Sequence, residues 1–166
     1  MNIVLIGYRG TGKSSVGEVL AARLERELVS TDKEIVRRTG RSVPEIVAQQ
    51  GWEHFRDLES QVCHDLADRD QLVIDTGGGA ILRQKNVEAL KRKGKLFWLT
   101  ASVESIAARI GSDTQRPSLT GIKSFTEEIE DVLRERAPKY QAAADHVIPT
   151  DNRSIDHVAK TILTHI

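Results

Sequence analysis

The chain has 166 residues, enough to bury one sizeable core, and its 24 basic and 24 acidic residues cancel. That balance excludes a global field able to recruit nucleic acid or an anionic membrane, so any anion site must be local. Cys63 is the only cysteine, which rules out an intramolecular disulfide and fits a reducing, cytoplasmic compartment. No run approaches the ~20 apolar residues of a membrane span, and the N-terminal apolar run is too short for a signal-peptide core. A soluble protein folding as one domain over residues 1–166 is expected.

The first predicted strand is the apolar run Ile3 to Ile6. Directly after it, Gly7 to Ser14 read Gly-Tyr-Arg-Gly-Thr-Gly-Lys-Ser, a full match to the phosphate-binding pattern G-x-x-x-x-G-K-[ST]. The pattern needs glycines because successive backbone N–H groups must turn inward around phosphates, in dihedrals that other residues resist. Gly10, Thr11, Gly12, Lys13, Ser14 and Ser15 are therefore candidates for binding the phosphates of a nucleoside triphosphate. Lys13 adds a point charge, Ser14 offers a hydroxyl to Mg²⁺, and a helix beginning near Lys13 aims its positive end at the same place. Val16, Val19, Leu20 and Leu24 recur at helical spacing and give that helix a stripe to pack on a sheet.

A short strand is predicted to end near Ser30. Asp32 is placed to cap a helix over Lys33 to Thr39 that Gly40 stops, and Ser42 to Gln50 repeats the punctuation with Gly51. These short helices suggest an insertion at about 32–60 rather than part of the core. A longer helix, about Glu53 to Arg69, then feeds a strand over Leu72 to Ile74 closed by Asp75. The Gly77-Gly78-Gly79 turn and a helix near Gln84 to Lys93 follow, and Leu96 to Leu99 and Val147 to Ile148 complete the apolar runs. Apolar runs alternating with helical patterns predict an α/β fold, with a parallel sheet covered on both faces. Residues 111–124 are polar and glycine-punctuated between two helical patterns, as in a flap, and carry Arg116. The cluster Lys91-Arg92-Lys93-Gly94-Lys95 reads as the solvated end of a helix, not as a nucleic-acid surface, and the five histidines lack zinc-ligand spacing.

Taken together, Gly7 to Ser14, Ser30-Thr31-Asp32, Phe55-Arg56, Gly77-Gly78-Gly79, Arg116-Pro117 and Arg136-Ala137-Pro138-x-Tyr140 resemble the shikimate kinase family, in order and over nearly the whole chain. The resemblance implies a P-loop NTPase-type three-layer sandwich on a central parallel five-stranded sheet, with a helical substrate-binding insertion and a mobile lid. It implies a magnesium-assisted transfer of the γ-phosphoryl of ATP to the 3-hydroxyl of shikimate, on the route to chorismate and the aromatic amino acids, by a cytoplasmic monomer. By position, Asp32 would orient or deprotonate the attacking hydroxyl. Arg56 and Arg136 would grip the substrate carboxylate, and Gly77, Gly78 and Gly79 would let backbone approach the substrate ring. Lys13 and Arg116 would stabilise the phosphoryl group in flight, Arg109 and Arg153 would contact the adenosine end, and Glu59 would support the substrate arginine. Read without the family, Arg56, Arg109 and Arg136 are equally charges on helix surfaces, and the glycines equally a tight turn.

One position departs from the family pattern. Its members usually carry an Asp two residues before the substrate Asp, helping to anchor the Mg²⁺ water shell, where this chain has Ser30. Asp75, at a position where the family commonly has a small residue, closes its strand like the metal-holding aspartate of phosphate-loop folds. Restoration of the lost charge from Asp75 is expected; the alternative is that Asp75 caps the following turn. A gluconate kinase of the same fold, or a nucleotide-dependent binding module without transfer, are the rival readings.

Overall fold

The computed structural model describes residues 1–111 and 125–166. The order is β1 (Asn2–Ile6), α1 (Lys13–Leu24), β2 (Glu27–Ser30), α2 (Thr31–Thr39), α3 (Val43–Ala67) and β3 (Leu72–Asp75). A 3-10 turn (Ala80–Leu82), α4 (Gln84–Lys91), β4 (Gly94–Thr100), α5 (Val103–Ile110), α6 (Phe125–Ala143), β5 (His146–Pro149) and α7 (Ile155–Leu163) follow. The five strands form one sheet in the order β2-β3-β1-β4-β5, and every pairing is parallel. This is the predicted α/β architecture. β1 lies between β3 and β4, so chain connections leave it in opposite directions and open a crevice at the carboxyl ends of the strands.

Side chains alternate across the sheet and divide the core into two layers. Val4, Ile6, Ile74 and Leu96 face α2, α3 and α4, while Ile3, Leu5, Val73, Phe97 and Leu99 face α1 and α7. The stripe expected on α1 is present, with Val16 and Leu20 buried against the second layer. Gly17 lets the helix approach β2, since a Cβ there would stand 3.0 Å from Leu28 Cδ1.

Local signals at α2 and α3 work partly as expected. Gly40 (φ 69°) ends α2, with its N–H donating to Val36 O, and the Ser42 hydroxyl accepts from Glu45 N to start α3. Gly51 (φ 82°, ψ 169°) breaks α3 into the two helices the sequence suggests. The cap of α2, however, is Ser30 and not Asp32: Ser30 Oγ accepts from Lys33 N at 3.3 Å, and Asp32 falls inside the first turn. That leaves the Asp32 carboxylate to line the crevice, with a favourable position at a helix N-terminus.

The second correction concerns the core. The helices over 32–60 were expected to be peripheral, but Ile35, Val43, Ile46 and Phe55 are buried in the same cluster as Val4 and Ile6. The short helices thus share, with the rest of α3, α4 and α6, in covering one face of β1. Ile46→Ala should therefore lower the unfolding free energy by about 2–5 kcal/mol in urea denaturation, where a peripheral helix would yield a near-neutral change.

Candidate active site

The phosphate loop is held by its own core contact. Tyr8, only 2% exposed, packs among Ile106, Ile110, Ile129 and Val132 from the helices on either side of residues 112–124. Thr11 Oγ1 donates to Tyr8 O at 2.8 Å. Gly10 (φ 81°) cannot be replaced easily, because a Cβ would also lie 2.6 Å from Ile110 Cγ2. Lys13 Nζ bends back over the loop and donates to Gly7 O at 2.8 Å and Tyr8 O at 3.0 Å.

Across the crevice, Asp75 at the end of β3 accepts from Ser14 Oγ at 2.6 Å, through Oδ2. Its Cα partner on the neighbouring strand is Ser30. Burial pushes the Asp75 carboxyl above the usual range, against the lowering influence of the Lys13 charge and the Ser14 hydroxyl, and nearby Asp32 adds to the rise. Thr76 Oγ1 donates to Leu5 O at 2.8 Å, and Gly77 N donates to Thr31 Oγ1 at 2.9 Å, so the glycine turn is tied to both adjacent strand ends. Lys13, Ser14, Asp32, Asp75, Gly77 and Gly78 share the wall of one cavity of about 680 Å³.

Two buried guanidinium groups close in on the glycine turn. Arg56 Nη1 donates to Glu59 Oε1 at 2.9 Å, and the Arg56 Cζ lies 5.2 Å from the centre of the Trp52 ring. A Cβ on Gly79 would fall 2.3 Å from Arg56 Nη2, and one on Gly78 would fall 3.4 Å from Arg136 Nη1. The lack of a side chain at Gly79 lets Arg56 rest against the turn, whereas at Gly78 a Cβ would make only ordinary contact with Arg136. Tyr140 OH donates to Gly78 O and Trp98 stacks on the Tyr140 ring at 5.5 Å, which braces the same turn from α6.

A second cavity, of about 400 Å³, lies on the other side of the loop and is lined by Arg109, Arg153, Thr150 and Ile155 together with Gly10, Thr11, Gly12 and Ser15. Arg109 Nη1 donates to Gly10 O and to Thr150 Oγ1, both at 3.1 Å. Most of the predicted residues thus line two neighbouring cavities around the loop, while Arg56, Arg136 and Gly79 line neither and meet at the glycine turn beside the larger one. Arg116, with 112–124 of the flap expected over 111–124, lies outside the described residues. Sequence reasoning assigned no role to Thr76 or to Arg9, which lines the larger cavity, and gave Thr31 and Tyr140 only as parts of motifs. Arg9 occupies an unspecified position of the loop pattern, so no motif could single it out.

The family model for shikimate kinase matches residues 9–166. The chain belongs to the shikimate kinase family. A shikimate kinase of Nitratidesulfovibrio vulgaris is 45% identical over 152 residues, covering 90% of this chain and 86% of that relative. One of Syntrophus aciditrophicus is 44% identical over 174 residues, covering 98% and 89%. Among solved structures, the shikimate kinase of Acinetobacter baumannii in complex with shikimate superposes with a TM-score of 0.94 at 37% identity, covering 99% of this chain and 91% of the other.

The protonation of Asp75 makes a stability prediction. A carboxyl whose pKa is higher folded than unfolded costs stability once ionised, and the cost fades as pH falls below both values. Asp75→Asn keeps a partner for Ser14 without the buried charge. It should raise Tm at about pH 7, with the gain over the unsubstituted protein shrinking toward about pH 4 in a series of thermal melts.

Proposed function

We propose that this shikimate kinase family member phosphorylates the 3-hydroxyl of shikimate with ATP, giving shikimate 3-phosphate and ADP, in aromatic amino acid biosynthesis. The observation that carries the reading is the pair Arg56 and Arg136, seated on Gly79 and Gly78 beside the phosphate loop. Planar guanidinium groups bond carboxylate oxygens in pairs, which suits the acid group of shikimate. Gluconate carries a carboxylate as well, so the comparison of acceptors below, and not the arginine pair alone, separates this reading from a gluconate kinase of the same fold.

In this reading Gly10, Thr11, Gly12, Lys13, Ser14 and Ser15 hold the phosphates of ATP, and Arg109 and Arg153 hold its adenosine end in the second cavity. Asp32 orients the 3-hydroxyl and takes its proton as the hydroxyl oxygen bonds to the γ-phosphorus and the bond to the β-phosphate oxygen breaks. Lys13 and Arg116 stabilise charge on the oxygens of the transferring group. Protein groups do no covalent chemistry here; they position the reactants and compensate charge.

Ser14 and Asp75 fit Mg²⁺, for their bonded hydroxyl and carboxylate form an all-oxygen donor pair facing the phosphate site. The ion would neutralise phosphate charge when bound with ATP. The register partnership of Ser30 and Asp75 supports the view that one carboxylate position has been exchanged for the other across adjacent strands. The enzyme is read as a cytoplasmic monomer acting on small molecules, with no nucleic-acid or membrane partner.

The deciding experiment is ADP release in Mg-ATP with shikimate, with gluconate and without acceptor. Shikimate alone should stimulate release, and Arg136→Ala should raise KM for shikimate roughly ten- to a hundredfold, as loss of charge-assisted hydrogen bonds implies. Turnover of gluconate, or of neither acid, would refute the assignment. For the metal site, Asp75→Ala should weaken Mn²⁺ binding to the ATP complex, followed by the electron paramagnetic resonance of the free ion, and adding Ser30→Asp should restore it. An unchanged Mn²⁺ affinity in Asp75→Ala would show that Asp75 serves the turn instead.

A further inference from the structure

Within the phosphate loop the second and third residues part company. Tyr8 is drawn into the core by Ile106, Ile110 and Ile129, and the bond from Thr11 Oγ1 holds its carbonyl, so the next side chain, Arg9, is left to line the larger cavity. Arg9 also marks the seam between the two halves of the site. Its backbone N lies 3.6 Å from where a Cβ on Gly78 would stand, and Arg136 Nη1 lies 3.4 Å from the same point. The loop meets the carboxylate-gripping turn at this residue.

The Arg9 guanidinium has an open claim on a ligand. Its Nη1 is shielded from solvent and has no hydrogen-bond partner among the described residues. A guanidinium cannot shed its charge, and a buried donor without an acceptor costs about 1–3 kcal/mol, more when charged. The neighbouring cations are engaged: Lys13 Nζ by Gly7 O and Tyr8 O, Arg109 by Gly10 O and Thr150, and Arg56 by Glu59. An anion arriving between the loop and the glycine turn would satisfy Arg9 and would meet a planar fork suited to phosphate oxygens.

We propose that Arg9 is an arginine finger supplied by the phosphate loop itself, which binds the phosphoryl group in transit and then the phosphate of the product. The inference rests on the reading that this site phosphorylates shikimate. As the bond from the γ-phosphorus to the β-phosphate oxygen breaks and its electron pair leaves with ADP, the shikimate oxygen bonds to phosphorus and its proton passes to Asp32. Charge spreads over the three oxygens of the moving group, and Arg9 meets them at the seam the group crosses. A finger that meets the group in transit acts on turnover more than on ATP binding.

The test compares the unsubstituted enzyme with Arg9→Met, which keeps the aliphatic stem, and Arg9→Lys. Arg9→Met should lower kcat roughly a hundred- to a thousandfold, with KM for ATP and for shikimate within about threefold, and Arg9→Lys should recover part of the loss. In titration calorimetry the affinity of Arg9→Met for shikimate 3-phosphate should fall at least about tenfold, with affinity for shikimate unchanged, a pattern that a loosened loop would not produce. Matching thermal melts establish that the variants fold. Unchanged kcat and product affinity, or a raised KM for ATP at constant kcat, would overturn the finger. An unsubstituted enzyme that releases no ADP with shikimate would instead overturn the functional reading beneath it.

Discussion

The site depends first on the register of three parallel strands. Leu5 pairs with Asp75, and Asp75 with Ser30, so the ends of β1, β3 and β2 lie side by side at one edge of the crevice. A slip of one residue would turn Asp75 to the other face of the sheet and separate it from Ser14. That register is enforced by burial on both faces, since Ile3 and Leu5 serve one core layer and Val4 and Ile6 the other. Thr76 and Thr31 then carry the alignment past the strands into the glycine turn by side-chain hydrogen bonds. The arrangement of Ser14, Asp75 and the glycine turn is thus a consequence of hydrophobic alternation in the sheet.

Charge is arranged locally in a chain whose total is zero. Arg56, Glu59, Arg136, Lys13 and Asp75 are all buried, whereas most ion pairs elsewhere, such as Arg83 with Glu53 and Asp57 or Arg92 with Asp68, have at least one exposed partner. Exposed pairs of that kind contribute little to stability. The buried groups are costly to desolvate, and Asp75 and Arg9 carry that cost most openly. Such local conflict between stability and arrangement is what a preorganised anion site requires, because donors must be in place before the phosphates arrive.

Tyr8 connects this preorganisation to the rest of the fold. By lodging in the cluster formed with Ile106, Ile110, Ile129 and Val132, it joins the loop to α5 and α6. The same α6 carries Arg136 toward the glycine turn and Tyr140 onto the Gly78 carbonyl. The phosphate loop and the glycine turn are therefore held by one packing unit, built on α5 and α6.

Where chemistry depends on consecutive residues, it was readable in the chain. Gly7 to Ser14 announce a phosphate loop because the dihedrals and donors involved are local, and Gly40 and Gly51 announce helix breaks for the same reason. The apolar runs determined a parallel α/β sheet by their alternation with helical stripes. Other features waited for tertiary structure. Ser30 displaced Asp32 as helix cap, and the helices over 32–60 proved to be cover for β1, since both outcomes turn on what neighbouring elements leave open. The seating of Arg56 on Gly79, of Asp75 beside Ser30 and Ser14, and of Arg9 at the loop's seam joins residues 23 to 61 positions apart, or a residue the motif leaves unspecified. No local pattern encodes such meetings; they arise only when burial of both sheet faces selects one strand order and one register.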